Sequence, residues 1–128
     1  MSAARADRVL AAIAERELDA LLVTELVNVR WLTGFTGSNG LAVIGPDARR
    51  FLTDFRYLTQ ADAEVDAAWG HEIATDLLER AVKDLPARVG FDDQGMSVRQ
   101  FARLEKLAGE GVEGYRTALN RIREELKL

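Results

Sequence analysis

The sequence predicts an α/β domain: three layers, with helices on both faces of a mixed, mostly parallel central sheet that includes one β-hairpin. Three observations carry this. Short apolar runs suited to buried strands, such as Leu18–Val23 and Leu41–Ile44, alternate with segments of helical spacing. A Gly45-Pro46-Asp47-Ala48 turn separates two of the strand-like runs, as in a hairpin. The chain has 128 residues, 48% hydrophobic and 30% charged, which suits one domain that buries a core without disulfides.

The elements follow in order. Ala6, Val9, Leu10 and Ile13 fall at i, i+3, i+4 and i+7, the stripe of an amphipathic helix. Leu18–Val23 reads as a buried strand and Glu25–Leu32 as a short helix. A loop follows with Gly34, Gly37 and Gly40, whose glycines permit positive φ. Leu41–Ile44 and Arg50–Thr53 form the hairpin. Asp54–Glu64 reads as one helix with Asp54 as N-cap, and Trp69–Ala74 as a strand. Thr75 or Asp76 caps a helix carrying Leu78, Ala81, Val82 and Leu85, which Pro86 ends. Arg88–Phe91 is a short strand and Asp92–Gly95 a turn. Ser97-Val98-Arg99-Gln100 is a capping-box pattern opening a helix with Val98, Phe101 and Leu104 on its apolar face. Gly109, Gly111 and Gly114 interrupt that helix. Tyr115, Leu119, Ile122 and Leu126 mark a further amphipathic helix. The expected division is therefore a domain over residues 1–113 and a helix or linker over 114–128.

Composition narrows the chemistry. There is no cysteine, which excludes a thiol nucleophile and any cysteine-ligated metal. There is one histidine, His71, where histidine is the commonest general base and metal ligand. Seventeen basic and 21 acidic residues give a net charge of −4 with interspersed signs, unlike a phosphate-reading basic face, so no nucleic-acid partner is expected. No membrane association is expected either, since no window approaches the length of an apolar span. Met1–Glu17 mixes alanines with Arg5, Asp7, Arg8, Glu15 and Arg16, unlike a secretory signal, and the expected compartment is the cytoplasm.

Four groupings are candidate sites. Gly34-x-x-Gly37-x-x-Gly40 matches neither a phosphate-binding loop ending in Lys nor a dinucleotide fingerprint. Ser38 with His71 as base would make a small hydrolase, but position 36 is Thr where a nucleophile elbow needs Gly. Asp92-Asp93 is an acidic pair in a turn, where aspartate also serves local hydrogen bonds, so no metal site is assigned. The last grouping is Trp31 and Phe35 before the glycines and Asp54, Phe55, Arg56 and Tyr57 after the hairpin. If the hairpin folds back, Arg56 meets a carboxylate beside an aromatic slot; the plainer alternative makes Trp31, Phe35 and Phe55 core and pairs Arg56 with a local acid.

Asn28-Val29-Arg30-Trp31-Leu32-Thr33-Gly34-Phe35-Thr36-Gly37-Ser38 resembles the N-x-x-Y-L-T-G-F-x-G-S segment of the Xaa-Pro peptidases, the group of aminopeptidase P, prolidase and creatinase. Trp31 stands where tyrosine is usual. Leu52-Thr53-Asp54-Phe55-Arg56-Tyr57-Leu58-Thr59-Gln60-Ala61 is similar to that family's L-x-T-D-x-R-Y-x-x-Q-A segment, and Arg88–Asp92 to its V-G-F-D/E strand. These segments belong to the family's N-terminal domain, which implies a creatinase N-terminal-like, ribonuclease H-like fold.

The resemblance implies a non-catalytic domain that serves oligomerisation and shapes access to the active site of a C-terminal catalytic domain of pita-bread fold. It places no catalytic residue and no metal ligand in this chain. Two divalent ions, manganese, cobalt or zinc, belong to that catalytic domain, which is also the expected partner, together with a second copy in a homodimer. Trp31, Phe35, Asp54, Arg56 and Tyr57 are the positions expected at the substrate rim. The alternative function is a free-standing module of the same fold that binds a small molecule or peptide. Leu119–Leu126 only loosely resembles the family's linker helix.

Overall fold

A computed structural model describes residues 2–86, 88–92 and 96–108. The turn residues Asp93–Gly95, the glycines from Gly109 onward and the helix expected over 115–128 lie outside the described residues.

Helix α1 (Ser2–Glu15) leads into strand β1 (Ala20–Val23), helix α2 (Leu26–Thr33) and the hairpin of β2 (Gly40–Gly45) and β3 (Ala48–Thr53). A 3₁₀ turn (Phe55–Tyr57), helix α3 (Leu58–Glu64), strand β4 (Gly70–Ile73), helix α4 (Leu77–Val82), strand β5 (Val89–Phe91) and helix α5 (Val98–Ala108) complete the order. The five strands lie in the order β4-β3-β2-β1-β5.

The sheet is mixed, but parallel pairing does not dominate it as expected. β1 with β5 and β3 with β4 are parallel; β1 with β2 and β2 with β3 are antiparallel. The cause is the α2 connection. Val23 at the end of β1 stands opposite Ala42 near the start of β2, so the chain returns to the edge it left and reverses. A parallel pair would need a crossover to the far edge.

Strand alternation assigns the layers. Arg50 on β3 and Glu72 on β4 point to α4: Arg50 Nε lies 2.7 Å from Glu72 and its Nη1 donates to Ala81 O at 2.9 Å. That guanidinium thereby satisfies a carbonyl near the end of α4, where cations are favoured. Residues of opposite parity face the other way. Arg49 reaches Asp7 on α1, Phe51 packs on Phe35 after α2, and His71 meets Asp62 on α3. Helices α1 to α3 thus cover one face and α4 with α5 the other. The core between them includes Ile13, Leu22, Ile44, Phe51, Leu52 and Phe91, each fully buried.

The segment 54–64 is not one helix. Tyr57 N donates to Asp54 O, closing a 3₁₀ turn before α3 begins at Leu58. Asp54 caps that turn by accepting from Arg56 N at 2.9 Å, and its ion pair with the Arg56 side chain holds the turn tight. Asp76, rather than Thr75, caps α4 through Glu79 N. Helix α4 closes at Val82, and turn-type hydrogen bonds carry the chain to Leu85 before Pro86. The capping box at α5 forms as expected: Gln100 N donates to Ser97 Oγ and Ser97 N donates to Gln100 Oε1.

Candidate functional site

The glycine loop and the turn after the hairpin fold against each other. Phe35 is the centre of the contact. Its ring is 1% exposed and lies 4.8 Å from Phe51 and 5.6 Å, edge-on, from Tyr57. The three loop glycines divide their tasks. Gly34 alone takes positive φ, at 85°, and ends α2 with its N–H on Arg30 O. Gly37 and Gly40 are small because Phe35 lies against them: a Cβ on Gly37 would stand 2.2 Å from Phe35 Cζ. Space, not backbone conformation, requires glycine at position 37; at Gly40 a Cβ would stand 3.0 Å from the same ring, a tight contact.

Polar bonds lock the corner. Asp54 accepts from Arg56 Nε at 2.9 Å and Nη2 at 2.8 Å, and from Asn39 Nδ2 at 2.7 Å. The Arg56 guanidinium, with Asn39 second, holds the Asp54 carboxyl well below the usual carboxylate range. Glu64 accepts from Thr36 N at 2.8 Å and from Thr36 Oγ1, and the Thr36 backbone donor keeps its carboxyl low as well. Ser38 Oγ and Tyr57 OH share a hydrogen bond, which lowers the Tyr57 phenol.

Four of the five residues expected at the rim, Phe35, Asp54, Arg56 and Tyr57, meet in this corner. Trp31 turns to α1 instead. The Arg5 guanidinium lies 5.3 Å from its ring centroid, and Arg5 Nη1 donates to Trp31 O at 2.9 Å. The local acid expected for Arg56 is Asp54. Phe35 is core, but Phe55 is not: it is 77% exposed, because the 3₁₀ turn aims it away from the sheet.

The other groupings come apart. Ser38 bonds Tyr57, whereas the Nδ1 of His71 lies 3.4 Å from Asp62 and its ring packs edge-on to Phe51. No hydrogen bond joins Ser38 to His71 among the described residues, so the nucleophile–base pair does not form. Asp92 points inward and accepts from Thr24 N, Thr24 Oγ1, Glu25 N and Asn28 Nδ2. It ties the chain that enters α2 to the end of β5. Burial pushes its carboxyl up, against those four donors. Among the described residues no acidic or histidine cluster could hold a metal ion. Sequence reasoning missed the bonds of Asn39, Thr36 and Glu64. Their partners lie 15 and 28 residues away, and no local pattern announces them.

The Creatinase/Prolidase N-terminal domain family matches residues 5–124, nearly the whole chain. This chain belongs to the creatinase/prolidase N-terminal domain family. Among curated proteins, the domain is 38% identical over 89 residues to the peptidase YqhT of Bacillus subtilis, across 66% of this chain and 25% of that one. It is 40% identical over 73 residues to human Xaa-Pro aminopeptidase 2, across 53% of this chain and 11% of that one. The domain thus spans a quarter or less of the length of these relatives.

Among solved structures, an aminopeptidase P from Streptococcus thermophilus superposes with a TM-score of 0.83 at 32% identity, covering 99% of this chain and 98% of that one. The N-terminal domain of the cytoplasmic peptidase PepQ from Mycobacterium tuberculosis gives 0.73 at 34% identity, covering 85% and 88%. Among the described residues no helix of this domain is long and apolar enough to cross a membrane.

Proposed function

We propose that this domain is the non-catalytic N-terminal part of a cytoplasmic Xaa-Pro metallopeptidase, similar to aminopeptidase P or prolidase. There it builds the oligomer and shapes access to the active site of a C-terminal catalytic domain, which holds two divalent ions such as manganese, cobalt or zinc.

One observation carries the reading. The two segments most like those of the Xaa-Pro peptidases fold into a single corner, and the polar groups of that corner bond each other. Asp54 is saturated by Arg56 and Asn39, and Glu64 by Thr36 and Gln60. Such a corner is a rigid rim, not a set of groups poised to move protons. Arg56 remains 61% exposed on its outer side, and Tyr57 closes the rim beside it. The relatives' lengths and names support a catalytic partner domain in the parent protein.

The oligomer draws support from exposed apolar side chains at the same corner. Phe55 is 77% exposed, Leu58 52% and Ile73 42%, and Phe55 and Ile73 line one cavity. Large side chains so placed mark an association surface. Sedimentation velocity on the chain tests this. A dimer that Phe55→Ser returns to monomer is expected; a wild-type monomer at all concentrations overturns the oligomer assignment.

A further inference from the structure

A cavity of about 490 Å³ lies at the end of the sheet where β1, β4 and β5 finish, beside the junction that Asp92 closes with Thr24 and Glu25. The start of β2, the start of α4 and helix α5 wall it. The carboxyl ends of strands are the usual ligand position in open α/β sheets. The volume of the cavity lies within the range of small-molecule sites.

Its lining is mixed in a specific manner. Leu41, Leu77, Leu78 and Met96 give it apolar surface. Asn39, Thr75 and Gln100 also line it. Asn39 and Gln100 each use one end of the amide, through Nδ2 and Oε1, and among the described residues Asn39 Oδ1, Gln100 Nε2 and the Thr75 hydroxyl have no hydrogen-bond partner. The wall carries opposite charges in contact: Arg103 Nη1 donates to Asp76 Oδ1 at 3.0 Å, and Glu79 stands 4.0 Å from the same guanidinium.

We infer that this cavity binds a free α-amino acid with an apolar side chain, its carboxylate on Arg103 and its ammonium on Asp76. The contact between the two protein charges selects this class. An α-amino acid carries both charges on one carbon, each about 1.5 Å away, so they match a touching acid–base pair. The termini of a dipeptide are farther apart by about 3.6 Å and do not. A simple anion meets Asp76 and Glu79, and a simple cation meets Arg103. Because Asp76 and Arg103 are each close to half exposed, at 40% and 44%, opening their pair to admit the ligand costs little. The apolar side chain then lies on Leu77, Leu78 and Met96.

Titration of the ¹⁵N-labelled chain with L-leucine, followed by amide chemical shifts, tests the site. Saturable shifts at Thr75, Gln100 and Arg103 are expected at millimolar ligand. N-acetyl-L-leucinamide, which lacks both charges, should not produce them, and leucyl-leucine should bind more weakly. Arg103→Gln should weaken L-leucine binding about tenfold or more. Val98→Ser, at an 87% exposed position of the same helix, should leave it unchanged. Absence of shifts with L-leucine overturns the assignment. So do equal shifts with the uncharged analogue, tighter binding of the dipeptide, or undiminished binding in Arg103→Gln.

Discussion

Asp92, just after β5, accepts hydrogen bonds from both the backbone N–H and the hydroxyl of Thr24, each at 2.8 Å, and so ties the end of β5 to the chain that enters α2, 68 residues earlier. Glu25, the residue in the N-cap position of α2, makes no side-chain cap of its own. The bond fixes the edge strand β5, its neighbour β1 and α2 in one relation.

Replacing Asp92 therefore tests the join between the sheet and α2. Asp92→Ala removes a buried carboxylate, 1% exposed, that holds the N–H groups of Thr24 and Glu25. A loss of about 3 kcal/mol in urea unfolding is expected. Asp92→Asn keeps one acceptor oxygen and should cost less than half of that.

The Phe35 ring defines a steric prediction. Gly37→Ala drives a methyl group into a ring wedged between Phe51 and Tyr57, which cannot turn aside. The expected cost is about 1–3 kcal/mol, seen as a lower urea midpoint. Gly70→Ala is the comparison: its Cβ would meet only Arg49 O at 3.5 Å, an ordinary contact, so it should be nearly neutral.

Acid sensitivity follows from the carboxylates. Asp54, Glu64, Glu72 and Asp76 are all held below their usual values, chiefly by Arg56, Thr36, Arg50 and Arg103 respectively. The folded state then binds fewer protons than the unfolded chain near pH 4, so stability rises with pH there. The contribution is complete above the unfolded carboxylate values, about 4, and is lost as pH falls from there through the folded values. Asp92, pushed up by burial, works in the opposite sense and offsets part of the loss. Thermal melts between pH 7 and pH 2.5 should show a falling acid limb. Asp54→Asn should lower Tm at pH 7 and flatten that limb.

Local patterns made most of the fold legible. The hairpin turn, the Asp76 cap and the Ser97–Gln100 box depend on residues within a few positions of one another, and each formed where its pattern stood. Features set by distant contacts were not legible. The tether at the entry to α2 comes from Asp92, the smallness of Gly37 and Gly40 comes from the Phe35 ring, and the reversal at β2 comes from the path of the α2 connection. Phe55 shows the same limit at the candidate site. Its apolar character suggested core, but the Asp54 cap turns it outward, and that turn rests on a guanidinium two residues away.

In the proposed function this domain shapes a rim and leaves catalysis to another domain. The direct measurement is hydrolysis of an Xaa-Pro peptide by the purified 128-residue chain in the presence of manganese or cobalt. No turnover above buffer is expected, with circular dichroism confirming the fold. Turnover that co-purifies with the chain through successive columns, and that falls when Ser38 or His71 is replaced, would show a catalytic domain instead.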